Sequence, residues 1–444
     1  MWRTVPIREI MLGEQENRQA SRRNSWRGVS LICRVTILLA LGAALFLAGR
    51  ASIGAAYAQE GTAAALRRAI RWDSSDPEYY SRLSHLLATA LDVPETNELV
   101  ALDSEAVRLG PNRVAQWLEL ASDAEWEGDE RRAREAYEQA IELEPNSPQV
   151  NWAAGNFDLR QGESAGALRR LRATIAGDSE LREAAFEAAW RATNDGNMIL
   201  RESLPCQHDA LFDYLDYLSK TRRLDDAGQV WKEILQSRIS FAPADAFGYL
   251  DALLVSKRVD ELSASWNAML AAHLDGMPQP SRQGNLITNG DFETDLLGGG
   301  LDWHVQPVEG TEVSRNDVDC FDRGNCLEIQ FDGQHNLDYR GVWQFVPVQP
   351  DTSYRFSAYV RTEGITTGRG IRFWILDYYD QHASPVLTAS VTGTTDWTPE
   401  TADIHTGPET RMLELIVHRE PSAKFDSKIG GRSWIAHVSL VALK

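Results

Sequence analysis

One stretch, residues 114–147, constrains the fold of this 444-residue chain more than any other feature. It reads VAQWLELASDAEWEGDERRAREAYEQAIELEPNS, with apolar residues at helical spacing on both sides of Gly128. The alanines are small enough for two helices to approach closely, and the rings of Trp117 and Tyr137 fill the space between them. Pro145 ends the second helix because it cannot continue one. The stretch therefore predicts two packed helices with a turn at Gly128.

The same spacing of residues continues on both sides of this stretch, but the match is weaker there. The matching positions before it are Tyr80, Leu83, Ala106 and Pro111, and those after it are Gly155, Gly162, Ala167, Ile175, Ala227, Trp231, Ile234, Leu262, Trp266 and Met269. In order and spacing the pattern resembles the tetratricopeptide repeat. The resemblance implies an α-solenoid over residues 60–274.

Solenoids of this family have a groove lined by the first helix of each pair, and the groove binds peptides or other proteins. By that resemblance Trp126, Trp152, Asn156 and Arg160 occupy groove-lining positions. The alternative for Trp152 is that it packs between repeats. We therefore expect a protein partner, which these residues do not identify.

The N-terminal region predicts export from the cytoplasm. Residues 1–28 form a basic cytoplasmic tail, and residues 29–50 are apolar enough for a transmembrane anchor or a signal segment. The arginines before the apolar segment place the N-terminus in the cytoplasm. The protein is then either a single-pass inner-membrane protein of the bacterial cell envelope with a periplasmic body or, if the AYA sequence at 56–58 is cleaved, a protein secreted to the periplasm.

The charge of the chain argues against a nucleic-acid partner. The formal net charge is −19, from 45 basic and 64 acidic residues, and only the extreme N-terminus is basic. A nucleic-acid-binding domain needs a cationic face. We therefore expect no nucleic acid among the partners.

Two cysteines, Cys320 and Cys326, frame the loop CFDRGNC. An oxidising compartment favours a disulfide across such a loop. Two free thiols are the alternative. A metal site is a weaker one, because no His or further Cys lies nearby in sequence.

The C-terminal part of the chain has a different periodicity. Residues 275–284 have the proline, glycine and polar content of a linker, and apolar residues then alternate with polar ones. The alternating segments, separated by turn sequences, are 353–360, 371–376, 412–418 and 433–443. This pattern predicts an antiparallel β-sandwich over residues 285–444, so that the chain is multidomain, α and then β.

Ordered motifs in this part resemble the jelly-roll carbohydrate-binding modules of the galactose-binding-like superfamily. They are NLITNGDFET at 285–294, Trp303, GVWQFVPVQPDTSYRFSAYVRTEG at 341–364, GTTDWTPE at 393–400 and WIAHVSL at 434–440. The resemblance implies binding of polysaccharide, although related modules bind protein or lipid. It also implies a structural calcium ion, for which Asp291 and Glu293 could supply ligands. Ala436 and His437 stand where the family has a second acidic pair, and no other cofactor is expected.

The residues of a carbohydrate site follow from the alternation of side chains along strands. If Phe356, Ala358, Phe373 and Ile375 face the core, the opposite face carries aromatic rings that can stack on sugars and polar arms that can bond their hydroxyls. The expected set is Tyr359, Arg361, Arg372 and Trp374, joined by Glu414 and His418 and extended by Trp343 and Phe345. The alternative is that these side chains cover an exposed sheet face or pack against the helices.

Together these features predict a non-catalytic, envelope-tethered binding protein. The repeats would bind a protein partner and the sandwich would bind polysaccharide, which suits a role in export or assembly of a surface glycan. An enzyme is not expected, because the two regions leave no segment long enough for a catalytic domain. The alternatives are a pure protein scaffold without glycan binding, or a glycan-active enzyme.

Overall fold

The computed structural model describes residues 7–89, 96–281, 284–380 and 382–443. Helices precede two antiparallel sheets that form a sandwich, so the predicted fold class is confirmed. The chain divides into two compact units, Met1–Gln161 and Gly162–Lys444.

The first unit is helical. Its helices are α1 (Ile7–Gln59), α2 (Ala63–Trp72), α3 (Pro77–Ala88), α4 (Thr96–Leu109), α5 (Val114–Glu127), α6 (Glu130–Leu143) and α7 (Pro148–Arg160). Helices α5 and α6 are the pair predicted from residues 114–147. Ala121, Ala124 and Ala133 are completely buried between the helices. Gly128 makes the turn in the left-handed region at φ 85°, a conformation that glycine adopts without steric cost.

Helix α1 contains the expected apolar segment. Its part Cys33–Gln59, 27 residues, is long and apolar enough to cross a membrane. The end of α1 belongs to the folded unit, because Ala58 is buried in a core with Leu66 and Tyr79. Arg50 Nε also donates to the carbonyl of Trp72 at 2.6 Å.

The second unit begins with helices and ends with the sandwich. Its helices are α8 (Ser164–Gly177), α9 (Arg182–Thr193), α10 (Gly196–Glu202), α11 (His208–Lys220), α12 (Leu224–Ser237), α13 (Phe247–Val255) and α14 (Val259–Ala271), with a 3-10 turn at Pro243–Ala246. Trp231 and Ile234 of α12 and Trp266 and Met269 of α14 are buried, as their repeat positions predict.

Ten strands form the sandwich in the described residues. They are β1 (His304–Val305), β2 (Thr311–Asn316), β3 (Cys326–Asp332), β4 (Tyr339–Pro347), β5 (Ser353–Ile365), β6 (Arg372–Asp377), β7 (Val386–Leu387), β8 (Gly393–His405), β9 (Met412–Arg419) and β10 (Gly430–Ala442). Sheet A has the order β1-β4-β9-β6-β7, and sheet B has the order β2-β3-β10-β5-β8.

The core lies between the two sheets. Phe356 and Ala358 of β5 and Phe373 and Ile375 of β6 are all buried in it, as predicted. The rings of Phe356 and Phe373 meet across the two sheets with centroids 4.7 Å apart. Their alternating neighbours therefore point outward, away from the core.

The last helix pair packs directly against the sandwich. The hydroxyl of Tyr379 donates to the carbonyl of Leu254 at 2.7 Å, and Arg411 pairs with Asp260 at 2.5 Å. The compact units consequently do not divide at the predicted linker 275–284, because helices α13 and α14 share contacts with the sheets. A helical domain over 60–274 and a sandwich domain over 285–444 remain a prediction.

A disulfide joins Cys320 to Cys326. The loop that it closes lies on the outer face of sheet B, where Phe321 and Trp397 pack against buried Trp434 and Ala436. The expected cross-link thus supports a small apolar cluster outside the main core.

We expect Gly300→Ala to lower the free energy of unfolding by about 1–3 kcal/mol more than Gly298→Ala does. Both glycines have positive φ, 62° and 75°, so both substitutions carry a similar backbone penalty. A Cβ at Gly300 would lie 2.4 Å from the Trp266 ring of α14, whereas a Cβ at Gly298 would meet open space. Urea titration followed by tryptophan fluorescence measures the difference. Equal losses would contradict tight packing of α14 on the sandwich.

We expect replacement of both Cys320 and Cys326 by serine to cost about 2 kcal/mol of stability, because the unfolded chain gains the freedom that the short loop denies it. Cys206→Ser is the matched control, since Cys206 is an exposed free thiol. The measurement is urea unfolding without reductant. A double variant as stable as the control would show that the disulfide does not support the loop.

Candidate functional site

The residues of the predicted carbohydrate site lie on two different sheets. Tyr359 and Arg361 belong to β5 of sheet B, whereas the other residues belong to sheet A: Trp343, Phe345, Arg372, Trp374, Glu414 and His418. The prediction of one shared face is therefore wrong. The chain crosses from one sheet to the other between β5 and β6, and the outer faces of two packed sheets point in opposite directions.

Tyr359 and Arg361 hold the disulfide loop on sheet B. The ring of Phe321 stacks on Tyr359, with centroids 3.9 Å apart and planes inclined by 17°. The guanidinium of Arg361 lies 4.3 Å from the centroid of the Trp434 ring and donates to the carbonyl of Asp319 at 3.0 Å. These two side chains are thus engaged within the protein.

The outer face of sheet A carries an aromatic row. Trp343 of β4 is opposite Ile416 of β9, which is opposite Trp374 of β6. His304 and Leu387 extend the row at either end. Because neighbouring strands are about 4.8 Å apart, the backbones of the two tryptophans are roughly 10 Å apart. We call His304, Trp343, Ile416, Trp374 and Leu387 the aromatic row.

Both tryptophans of the aromatic row are half-buried and partly covered by neighbouring side chains. Trp343 stacks against His304 with ring centroids 5.2 Å apart. The guanidinium of Arg340 lies 4.4 Å from the ring centroid of Trp374. The ring centroids of His418 and Trp374 are 4.6 Å apart. The row therefore offers two indoles in fixed orientations, one of them with a guanidinium stacked on it.

Phe345 is less accessible than the aromatic row. It is 9% exposed, because Tyr378 and His304 pack against its ring at centroid distances of 4.8 and 5.3 Å. The alternative expectation, that the outer face is covered, therefore holds for this part of the face.

Charged arms border the aromatic row on one side, and most of them are paired with each other. Arg340 and His418 both contact Asp338, at 3.0 and 3.1 Å. Arg372 contacts Glu420 at 3.0 Å. Burial lowers the pKa of the His418 imidazole, and the nearby Asp338 opposes part of this shift. His418 is therefore neutral near pH 7.

Three polar atoms at the same place have no hydrogen-bond partner within the described part of the chain: Arg372 Nε, Trp374 Nε1 and His418 Nδ1. A buried polar group without a partner costs free energy. The three atoms therefore have donor or acceptor capacity that the described residues do not use.

Two carboxylates border the other side of the aromatic row. Glu414 of β9 is opposite Phe345, and Asp251 comes from helix α13. Burial raises the pKa of each carboxyl group. The charge of Arg340 lowers the pKa of Glu414 in part, and His304 does the same for Asp251. Burial also raises the pKa of the Tyr378 hydroxyl, and both carboxylates add to that increase. Asp251 and Glu414 therefore lie near the same hydroxyl.

Several residues of this face are absent from the predicted site. Asp251 lies in a helical segment, and no pattern in its sequence links it to a strand that begins 161 residues later. Ile416 could have been found from the same alternation that identified Glu414 and His418. His304 lies in a two-residue strand, which is too short to show a periodicity.

The predicted peptide groove lies in the first unit. Trp126 of α5 is 76% exposed, whereas Trp152 of α7 is half-buried. Arg160 Nη2 donates to the carboxylate of Glu125 at 2.8 Å, and Asn156 Nδ2 donates to the carbonyl of Trp152 at 2.8 Å. Arg160 is thereby joined to the residue next to Trp126, which brings the ends of α5 and α7 together.

The residues proposed for calcium do not fit that ion. Asp291 Oδ1 lies 3.2 Å from the imidazole of His437, and both residues line a cavity of about 450 Å³ together with Glu293. Calcium requires six to eight oxygen ligands. No cluster of three or more His, Cys, Asp and Glu side chains suited to a metal occurs in the described residues. An imidazole, and not a further oxygen ligand, thus lies beside Asp291.

One similarity to known proteins concerns the sandwich. Residues 284–424 match a family model described as a carbohydrate binding domain. No curated protein matches the chain significantly.

One solved structure similar to the chain is a CBM4 module, with 14% sequence identity and a TM-score of 0.27. The match covers 35% of this chain and 99% of that one. Another is the CBM22-1 and GH10 modules of a Clostridium thermocellum xylanase complexed with xylohexaose, with 13% identity and a TM-score of 0.26. The match covers 36% of this chain and 29% of that one, so the chain spans less than a third of the xylanase.

The helical region also has a similar solved structure, YrrB, a TPR protein with an unusual peptide-binding site. The identity is 14%, the TM-score is 0.24, and the match covers 48% of this chain and 95% of that one. The chain therefore has a segment, residues 284–424, that matches a carbohydrate binding domain and is preceded by helices.

Proposed function

We propose that this protein is a non-catalytic binding protein that holds a polysaccharide on the outer face of sheet A. The observation that carries the proposal is the aromatic row, with Trp343 and Trp374 two strands apart. Sugar rings have an apolar face that stacks on indoles. A glycan lying across the strands would contact both tryptophans at once.

Polar groups on both sides of the aromatic row support this orientation. Arg340 and Arg372 point planar guanidinium groups towards one side, and such groups form directional bonds with ligand oxygens. Glu414 on the other side accepts bonds from hydroxyls. The combination of a flat apolar strip with polar borders is typical of sites for small hydroxylated ligands.

A second binding function is proposed for the first unit, where an exposed indole favours a peptide partner. Trp126 is 76% exposed on α5, although a large aromatic side chain usually buries its surface. Aromatic residues and arginines are enriched at sites that contribute most to protein binding. Trp126 lies beside the ion pair of Arg160 with Glu125. A peptide that packs on Trp126 would bury this apolar surface.

The N-terminal helix supports a membrane-tethered protein of the cell envelope. Cleavage after Ala58 would remove Ala58 and Tyr57 from the core that they share with Leu66. This packing favours an anchor over a cleaved signal peptide. A tethered body with a glycan site would suit export or assembly of a surface polysaccharide.

We expect Trp374→Ala and Trp343→Ala each to weaken glycan binding by about tenfold, because each removes one stacking surface. The full chain in detergent is applied to a glycan array, and the affinity for the best glycan is then measured by titration. Trp126→Ala is the control, since it removes an exposed indole far along the chain from the sandwich. Full binding by both variants, or no binding by the unaltered chain, would contradict the proposal.

We expect a photoreactive residue placed at Trp126 to cross-link to a protein partner in cells. The matched control places the same residue at Glu138, which is exposed on α6. Adducts are detected as bands of higher mass after irradiation. Equal labelling from both positions would contradict a peptide groove at Trp126.

A further inference from the structure

Asp251 and Glu414 form no ion pair or side-chain hydrogen bond with any residue in the ranges that the structure describes. His304 acts on Asp251 and Arg340 acts on Glu414 only through longer-range electrostatics. Lys257, the cation near this end of α13, lies instead over the ring of Tyr379 at 5.1 Å. A negative charge that is partly buried without a counter-ion is unfavourable. The unaided protein therefore leaves two acidic groups only partly compensated beside the aromatic row.

The cations across the row compensate these groups only in part. Arg340 is already paired with Asp338, and Arg372 and Arg369 are both paired with Glu420. Because these arginines are paired with acidic residues on their own side of the row, the opposite side, which holds Asp251 and Glu414, has an excess of negative charge. The excess lies next to the strip on which a sugar ring would stack.

Location gives a second reason to connect these carboxylates with a ligand. Glu414 is opposite Phe345, whose ring packs against Tyr378, and the next residue, Tyr379, is hydrogen-bonded to Leu254, one turn after Asp251 on α13. The carboxylate of Asp251 is exposed to solvent. Three unsatisfied polar atoms mark the same face. The carboxylates and the stacking surface are thus parts of one site, to which helix α13 contributes.

We infer that the glycan bound on this face carries free amino groups, and that Asp251 and Glu414 bind its ammonium groups while the aromatic row holds its sugar rings. The inference rests on the proposed function of sheet A. An ammonium group donates three hydrogen bonds and supplies the missing positive charge. A glycan with the same backbone but N-acetylated would stack equally well and lack that charge.

The test compares two probes that differ in this group alone: a β-1,4-linked glucosamine hexamer and its fully N-acetylated form. The full chain in detergent is titrated with each just below neutral pH, where the amines are protonated. We expect the free-amine hexamer to bind about tenfold more tightly or better, because hydrogen bonds between charged groups are the strong ones. Glu414→Gln and Asp251→Asn should each weaken binding of the free-amine hexamer more than binding of the N-acetylated one, and so reduce that preference.

Glu312→Gln is the matched control, because it removes an exposed carboxylate from β2 on the opposite sheet. It should keep the preference, and circular dichroism checks that all variants are folded. Equal affinity for the two hexamers would overturn the amino-sugar inference and leave the proposed function standing. A preference that survives in both Glu414→Gln and Asp251→Asn would also overturn it. Failure to bind any glycan, including those on the array, would instead refute the proposed function.

Discussion

The hydrogen bond from Tyr379 to the carbonyl of Leu254 fixes helix α13 beside sheet A, and the candidate site depends on it. This contact helps to define the position of Asp251 relative to the aromatic row. The Arg411–Asp260 pair and the packing of Trp266 on the loop around Gly300 act in the same direction. Because these contacts are spread over two helices, they define the orientation of α13 as well as its distance.

Strand register determines what the other side of the site can do. Side chains that are directly opposite on neighbouring strands share a face, so the pairing of Trp343, Ile416 and Trp374 makes a strip across the sheet. A shift of one residue in β9 would replace Ile416 with a core residue and turn Glu414 and His418 inward. The site therefore needs the whole sandwich core to hold its register.

The sequence was sufficient for local structure and insufficient for the site as a whole. Helical spacing around Gly128 predicts α5 and α6, and the alternation around Phe356 and Phe373 predicts β5, β6 and their buried faces. Alternation does not show which sheet a strand joins, because every strand of a sandwich has one buried face. Alternation alone therefore groups Tyr359 and Arg361 with residues of the opposite sheet. Asp251 could not be found, since its position depends on tertiary packing between a helix and a sheet.

The direct packing of α13 and α14 on the sandwich has a mechanical consequence. A disordered tether between two domains stretches before it transmits load. Here a pull on a polymer held by sheet A would pass at once through Tyr379 and Arg411 into the helices. Tension in the bound polymer would thus reach helices α13 and α14 directly, with no flexible linker that must extend first.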